Sequence, residues 1–343
     1  MTAGQLDDRY SRQVLFAGLG ADGQRRLAAS HVVVAGCGAL GCAQAMLLAR
    51  AGVGRLTVID RDYVERSNLQ RQILFDESDA AASLPKAIAA RQRLAAINSE
   101  IAIDAAVEDL DARNVDELFS PASLVLDATD NFETRYLIND WCVRESRPWI
   151  YGAAVGSYGI TMPLLPGLAC FRCIYPAAPS GDQPTCETAG VLNPVTTAIG
   201  AWQVASAIRI LGDGLQTPQI LTPQILTMDV WTGATRTIVQ PPRDPDCPCC
   251  GGRHFEYLER DRRPPVSLCG RNAVQIHDRN RPLDLLALQA KLTPLGRVRA
   301  NDFALRFDFD VYEMTVFPDG RAIIKGTTDV AVARSLYSRY IGN

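Results

Sequence analysis

Two Cys-x-x-Cys pairs stand in this chain, Cys170-Phe171-Arg172-Cys173 and Cys247-Pro248-Cys249-Cys250. Two residues between thiols let both sulfurs reach one ion, and four thiolates close a tetrahedral Zn2+ shell with no position left open for catalysis. The spacing therefore predicts a structural zinc site with Cys170, Cys173, Cys247 and Cys250 as ligands and Cys249 as a bystander. A redox-active pair at either position is the competing reading, and it leaves the second pair unexplained. Because 73 residues separate Cys173 from Cys247, a bound ion would tie distant chain segments together. Cys186 lies in a Pro/Gly/Ser-rich stretch over residues 177–190, where exposure and mobility suit a nucleophile, with an incidental loop thiol as the alternative. Cys37, Cys42, Cys142 and Cys269 sit among apolar residues and are expected to pack in the core.

A second group of residues has the types that hold a nucleotide. Gly36-Cys37-Gly38-Ala39-Leu40-Gly41 has the G-x-G-x-x-G spacing, in which missing Cβ atoms let the backbone approach phosphates at a helix N-terminus. Asp60 follows at the end of the next predicted strand, placed to bind ribose hydroxyls. These two features fit an NAD-dependent oxidoreductase as well as an ATP enzyme. The run from Asp60 to Gln72, Asp-Arg-Asp-Tyr-Val-Glu-Arg-Ser-Asn-Leu-Gln-Arg-Gln, shifts the balance. It sets polar and cationic side chains beside the nucleotide, where a dehydrogenase needs no triphosphate clamp.

With Arg9-Tyr10-Ser11-Arg12-Gln13 before it and Asp127-Ala128-Thr129-Asp130-Asn131 after it, that run resembles the bacterial adenylyltransferases related to ubiquitin-activating enzymes. Those activating the sulfur carriers of molybdopterin and thiazole biosynthesis are the most similar. The resemblance covers roughly residues 6–254, and its motifs occur in family order. It implies ATP-dependent adenylation of the C-terminal glycine carboxylate of a ubiquitin-like sulfur-carrier protein ending in Gly-Gly. Pyrophosphate would leave and the carrier would be prepared for thiocarboxylate formation. It also implies residue roles: Asp60 holds the ribose, Asn68, Arg71 and Lys86 contact the phosphates, and Asp130 holds Mg2+. Arg12 would reach into the ATP site of a homodimer partner. Cys186 aligns with the cysteine that bonds covalently to the carrier or its sulfur in the ubiquitin-type and thiazole branches. Activation of a peptide or a tRNA-borne carboxylate is the alternative within the same superfamily. The residues from Val266 onward do not resemble the rhodanese domain of some relatives and contain no C-x-x-x-x-x-R loop. An external sulfur donor, such as a cysteine desulfurase or sulfurtransferase, is therefore expected.

The chemistry stands without the name. A carboxylate is ionised at neutral pH, so its attack on the α-phosphate of ATP needs no general base, only alignment and neutralisation of charge. Arg71 and Lys86 can supply positive charge, and Asp130 lies just beyond a strand end, where open α/β sheets bind ligands. Each residue also has an ordinary reading. Lys86 could be a solvated first-turn lysine, Arg71 a surface partner of Glu65 or Asp76, Asp130 a cap for the helix starting at Phe132, and Arg12 a solvated charge. Arg135, one turn into that helix, could face the nucleotide or make a salt bridge.

The elements that must position these residues follow from hydrophobic period. An apolar run over residues 31–35, the glycines, a helical stretch to Ala51 and a strand over residues 55–59 make a βαβ unit. A helix over residues 86–97 and strands over 101–107 and 124–128 continue the alternation and imply an α/β, Rossmann-like, mostly parallel sheet with helices on both faces. Strand-like segments over 151–165 and 225–239, around a helix from Asn193 to about Leu211, form an antiparallel extension. Residues 1–258 are expected to form the ATP-binding domain with its zinc site, 259–265 a charged, proline-bearing linker, and 266–343 a small α+β domain for carrier docking or oligomerisation. With 343 residues and 47% hydrophobic content, one large core and an appendage are expected. A formal net charge of −3 gives no excess positive field for gripping nucleic acid. No signal-peptide pattern and no run of 18 apolar residues occur, so a cytoplasmic protein with no membrane association is expected.

Overall fold

The computed structural model describes residues 8–178, 188–213, 222–259, 266–268, 273–276 and 282–342. Residues 179–187, which include Cys186, and 260–265, all but the first residue of the expected linker 259–265, lie outside the described residues, as does Cys269. The chain divides into two compact units, Met1–Glu259 and Arg260–Asn343.

In the first unit, β1 (His31–Ala35) is buried along its whole length, following α1 (Ser11–Val14) and α2 (Gly20–Ala28). Its alternate side chains serve two cores, Val32 and Val34 one, Val33 and Ala35 the other. That is the mark of a central strand covered on both faces. The chain continues through α3 (Ala39–Ala51), β2 (Arg55–Ile59), α4 (Glu77–Ala81), α5 (Lys86–Ile97), β3 (Ala102–Ala106), α6 (Val115–Phe119), β4 (Leu124–Asp127) and α7 (Phe132–Arg144). Apolar residues of α3 and α5 close one core, and Val115, Phe119, Tyr136, Leu137 and Trp141 of α6 and α7 close the other.

After α7 come β5 (Trp149–Val155), β6 (Tyr158–Leu164), α8 (Phe171–Ile174), α9 (Asn193–Asp213), β7 (Gln224–Asp229) and β8 (Ala234–Val239). The sheet order is β3-β2-β1-β4-β5-β6-β7-β8. Strands β1 to β5 pair in parallel, and β6, β7 and β8 extend the sheet antiparallel, as expected. The stretch over 225–239 is two strands, because the chain reverses through Trp231–Gly233, where Gly233 takes a φ of +74° that a side chain disfavours. Strand order reverses beside β1, which has β2 on one side and β4 on the other. The crevice beyond their C-terminal ends is where open α/β sheets bind ligands.

The second unit is an antiparallel sheet of order β11-β12-β13-β14-β10-β9, formed by β9 (Val266–Leu268), β10 (Ala273–Ile276), β11 (Arg297–Asn301), β12 (Ala304–Phe309), β13 (Tyr312–Val316) and β14 (Ala322–Lys325). Helix α10 (Leu285–Leu292), capped by Asp284, and α11 (Val330–Tyr340), capped by Asp329, share one core with Leu305, Phe307, Met314, Val316 and Ile324. This is the expected small α+β fold. Strands β11 and β12 form a hairpin that turns at residues 301–303. No helix among the described residues is long and apolar enough to cross a membrane.

Candidate functional site

The turn from β1 into α3 is built from glycine for two distinct reasons. Gly36 has a φ of +95°, and a Cβ there would stand 2.7 Å from the carbonyl oxygen of Ala128; a Cβ on Gly41 would stand 2.1 Å from the Gly36 carbonyl oxygen. These two glycines let the turn close against β4 and against itself. At Gly38 an added Cβ would meet nothing within 4 Å. Gly38 is the N-cap of α3, so its open side lies at a helix N-terminus. Such a place suits an anion, because the first N–H groups of a helix carry partial positive charge.

Asp60 lies directly after β2. Its Oδ2 accepts from the Cys37 N–H at 2.6 Å and its Oδ1 from the Asp62 N–H at 2.7 Å. Burial raises the Asp60 pKa above the ordinary carboxylate range, with the nearby Lys86 ammonium opposing that shift and Asp62 adding to it. A carboxylate accepts about four hydrogen bonds, so two acceptor positions remain for ribose hydroxyls.

Lys86 is buried, with 5% of its surface exposed, and its Nζ donates to Asp62 Oδ2 at 3.2 Å. It is not the solvated first-turn lysine of the ordinary reading. Asn68 spends its Oδ1 on the Glu65 N–H at 3.1 Å, which leaves the side-chain NH2 to donate elsewhere. Arg71 donates from Nη1 to the Ser67 carbonyl oxygen at 2.9 Å, which holds the guanidinium over the loop. Asp76 binds Arg93, not Arg71.

Beyond β4 the chain turns through residues 128–131. Asp127 is fully buried: its Oδ1 accepts from the Thr129 N–H at 2.8 Å and the Thr129 hydroxyl at 2.6 Å, and its Oδ2 from Arg135 Nε at 3.2 Å. Burial raises its pKa against the pull of Arg135. Arg135 also donates to the Thr129 carbonyl oxygen at 2.7 Å and lies over the Phe132 and Tyr151 rings, so its place is in the wall of the turn. The cap of α7 is Asn131, which accepts from the Thr134 N–H at 2.8 Å, and Asp130 is left exposed at the rim of the crevice. Arg12, in α1, is exposed beside Leu15 and Phe16, which expose 73% and 69% of their surface.

Gly36, Gly38, Gly41, Asp60, Lys86 and Asp130 thus sit on the loops that leave the C-terminal ends of β1, β2 and β4 or on the elements paired with them. Sequence reasoning missed Asp62, Asp109 and Asp127. Asp62 and Lys86 are 24 positions apart, and the pairing of residues 62–64 with 84–86 brings them together.

The four cysteines converge. Their sulfurs all lie within 4.8 Å of one another, with Sγ···Sγ distances of 3.9 Å (Cys170–Cys173), 3.7 Å (Cys170–Cys247) and 3.5 Å (Cys173–Cys250). A tetrahedron with Zn–S bonds of about 2.3 Å has edges of about 3.8 Å, so the donor set and its dimensions fit zinc. Cys249 lies outside the quartet and its sulfur accepts from Asn139 Nδ2 at 3.2 Å. Asn139 Oδ1 in turn accepts from the Phe171 N–H at 2.8 Å, so one side chain of α7 braces both cysteine loops.

The ThiF family model matches residues 10–249, a span that contains the glycine turn, the acidic and cationic loop, the first cysteine pair and Cys247 of the second. The chain belongs to the ThiF family. It is 42% identical over 342 residues to the sulfur carrier protein ThiS adenylyltransferase of Bacillus subtilis, covering 98% of this chain and all of that one. To the sulfur carrier protein adenylyltransferase of Thermus thermophilus it is 38% identical over 270 residues, covering 77% of this chain and 96% of that one. The crystal structure of E. coli MccB with ATP superposes with a TM-score of 0.62 at 25% identity, covering 73% of this chain and 75% of that one. This member of the ThiF family is an adenylyltransferase.

Proposed function

We infer that the chain uses ATP to adenylate the C-terminal glycine carboxylate of a ubiquitin-like sulfur-carrier protein ending in Gly-Gly, releasing pyrophosphate and preparing the carrier for thiocarboxylate formation. The observation that carries this reading is the juxtaposition of the open side of Gly38, at the N-terminus of α3, with buried Asp60 and the Lys86 ammonium. The full-length similarity to an adenylyltransferase of the carrier protein ThiS supports the choice of substrate.

In this reading the ribose bonds to the free acceptor positions of Asp60, and the phosphates lie along the N-terminus of α3. The ionised carboxylate of the carrier attacks the α-phosphorus, the bond to the bridging oxygen breaks, and pyrophosphate departs with the negative charge. Lys86, Arg71 and the NH2 of Asn68 offset that charge where it develops, and no proton has to be moved. Asp130 would hold Mg2+: one exposed carboxylate suits an ion that keeps waters and substrate phosphates as its other ligands, and the ion screens charge between phosphates. The four cysteines would hold a structural Zn2+. Arg12, exposed beside two exposed apolar side chains, would act in the site of a homodimer partner. Sulfur would come from a separate donor protein.

The test is ATP–pyrophosphate exchange by the purified chain. Exchange should require a carrier with a free Gly-Gly carboxylate, and a carrier amidated at its C-terminus should give none. Equal exchange with both carriers, or binding of a nicotinamide dinucleotide in place of ATP, would overturn the reading.

A further inference from the structure

We propose that Asp62, backed by Arg61 and Asp109, is the positioning residue that keeps Lys86 charged and aimed for the adenylation step. The inference rests on the functional reading above and adds to it a residue given no role there.

Lys86 occupies an electrostatically poor place. It is the first residue of α5, where the helix dipole is positive, and only 5% of its surface reaches water. An ammonium held there without a carboxylate would shed its proton or swing out to solvent. The structure supplies a carboxylate through local chain pairing. Lys86 N–H donates to the Asp62 carbonyl oxygen at 2.8 Å, Val64 N–H to the Leu84 carbonyl oxygen at 2.9 Å, and Tyr63 bridges Pro85. Residues 62–64 therefore run beside 84–86, and the Asp62 side chain is carried to within 3.2 Å of Lys86 Nζ.

Asp62 is itself held. Its Oδ1 lies 3.8 Å from Arg61 Nε, and Arg61 Nη1 donates to Asp109 Oδ1 at 2.9 Å. The side chains of Asp62, Arg61 and Asp109 are 19%, 17% and 8% exposed, so solvent screens this row of alternating charges only in part. Asp60 is nearby but is committed differently, since its two oxygens take the N–H groups of Cys37 and Asp62. Two acids two residues apart thus divide the work: Asp60 faces the ribose, and Asp62 faces the lysine.

The experiment is a double-mutant cycle on ATP–pyrophosphate exchange with the full chain and a Gly-Gly carrier. Asp62→Asn should lower kcat by about ten-fold or more, the size of coupling usual within one ion-pair network, with a far smaller change in KM for ATP. In a Lys86→Ala background the same substitution should cost nothing further, which a merely structural role would not produce. Should Asp62→Asn not fold, Asp109→Asn removes the next link and should give a smaller kcat loss that again vanishes without Lys86. A wild-type kcat in Asp62→Asn, or equal losses in both backgrounds, overturns the proposal. Undiminished exchange in Lys86→Ala alone would instead reject the role given to the lysine and leave Asp62 without one.

Discussion

The cysteine quartet allows a stability effect to be worked out in advance. Cys170 and Cys247 are 77 positions apart, and an ion between the two pairs closes that whole segment into a loop. Constraining a loop of that length in the unfolded chain is worth about 4–5 kcal/mol in the chain-entropy picture used for cross-links. A folded unit of this size shifts its melting temperature by about 2–4 °C per kcal/mol, so opening the clip should lower Tm by on the order of 10 °C. Cys173→Ser removes one thiolate while keeping a side chain of similar size. Differential scanning calorimetry of both proteins, with and without chelator, should show the wild type falling to the Tm of Cys173→Ser, which chelator should leave unchanged. Zinc release, followed with a colorimetric dye, should accompany the fall at one ion per chain. If zinc leaves and the wild-type transition stays in place, the clip argument is wrong, because the bound ion then stabilises nothing that unfolds.

Asp130→Ala should abolish pyrophosphate exchange with Tm unchanged, because Asp130 is exposed and the α7 cap belongs to Asn131; normal exchange would remove Asp130 from the metal role. Gly38→Ala should fold normally yet bind ATP on the order of ten-fold more weakly, whereas Gly41→Ala should cost about 1–3 kcal/mol of stability through its clash with Gly36; isothermal titration and thermal melts separate the two. Burial lowers the pKa of His31 below 6.5, with the positive charge of Arg55 a second cause, while its Nε2 lies 2.8 Å from the Thr57 hydroxyl. The unfolded chain therefore binds the proton more readily, so stability from this group is complete above pH 6.5 and is lost as pH falls toward the depressed folded value. His31→Gln should flatten Tm against pH in that window, and an unchanged slope would assign it to another group.

Much of the fold could be read from hydrophobic period, because both faces of β1 and β4 are covered and the apolar runs over residues 32–35 and 124–126 are unbroken. Strand β1 and helix α5 have the bounds that period predicts, since Pro85 and the glycines mark their ends. In the second unit Arg297-Val298-Arg299-Ala300 of β11 and Leu305-Arg306-Phe307-Asp308-Phe309 of β12 alternate with the strand period. In the site, Gly36 and Gly41 were legible because a Cβ at either position would meet backbone atoms, and Asp60 because it directly follows β2. The Asp62–Lys86 pair and the Asn139 brace join residues far apart in sequence and depend on tertiary contact, so no local pattern announces them. The burial of Arg135 was equally hidden, because a helix-borne arginine at that spacing is usually solvated.

Asp60 and Asp127 show why residue type alone does not separate a binding group from a structural one. Both follow or end a central strand, both are buried, and burial raises both pKa values. In each case the folded state holds its proton more tightly than the unfolded chain, so each acid reduces stability as pH rises through the window above 3.8. What they receive in return differs. Asp127 accepts three hydrogen bonds, from the Thr129 N–H and hydroxyl and from Arg135, and these fix the turn that carries Asp130 to the rim. Asp60 accepts two, both from backbone N–H groups beside the opening at Gly38, which leaves acceptor capacity for hydroxyls of a ligand. The acceptor positions left on Asp60 beside Gly38 support its proposed place in the binding site, and the three bonds of Asp127 support a place in the wall.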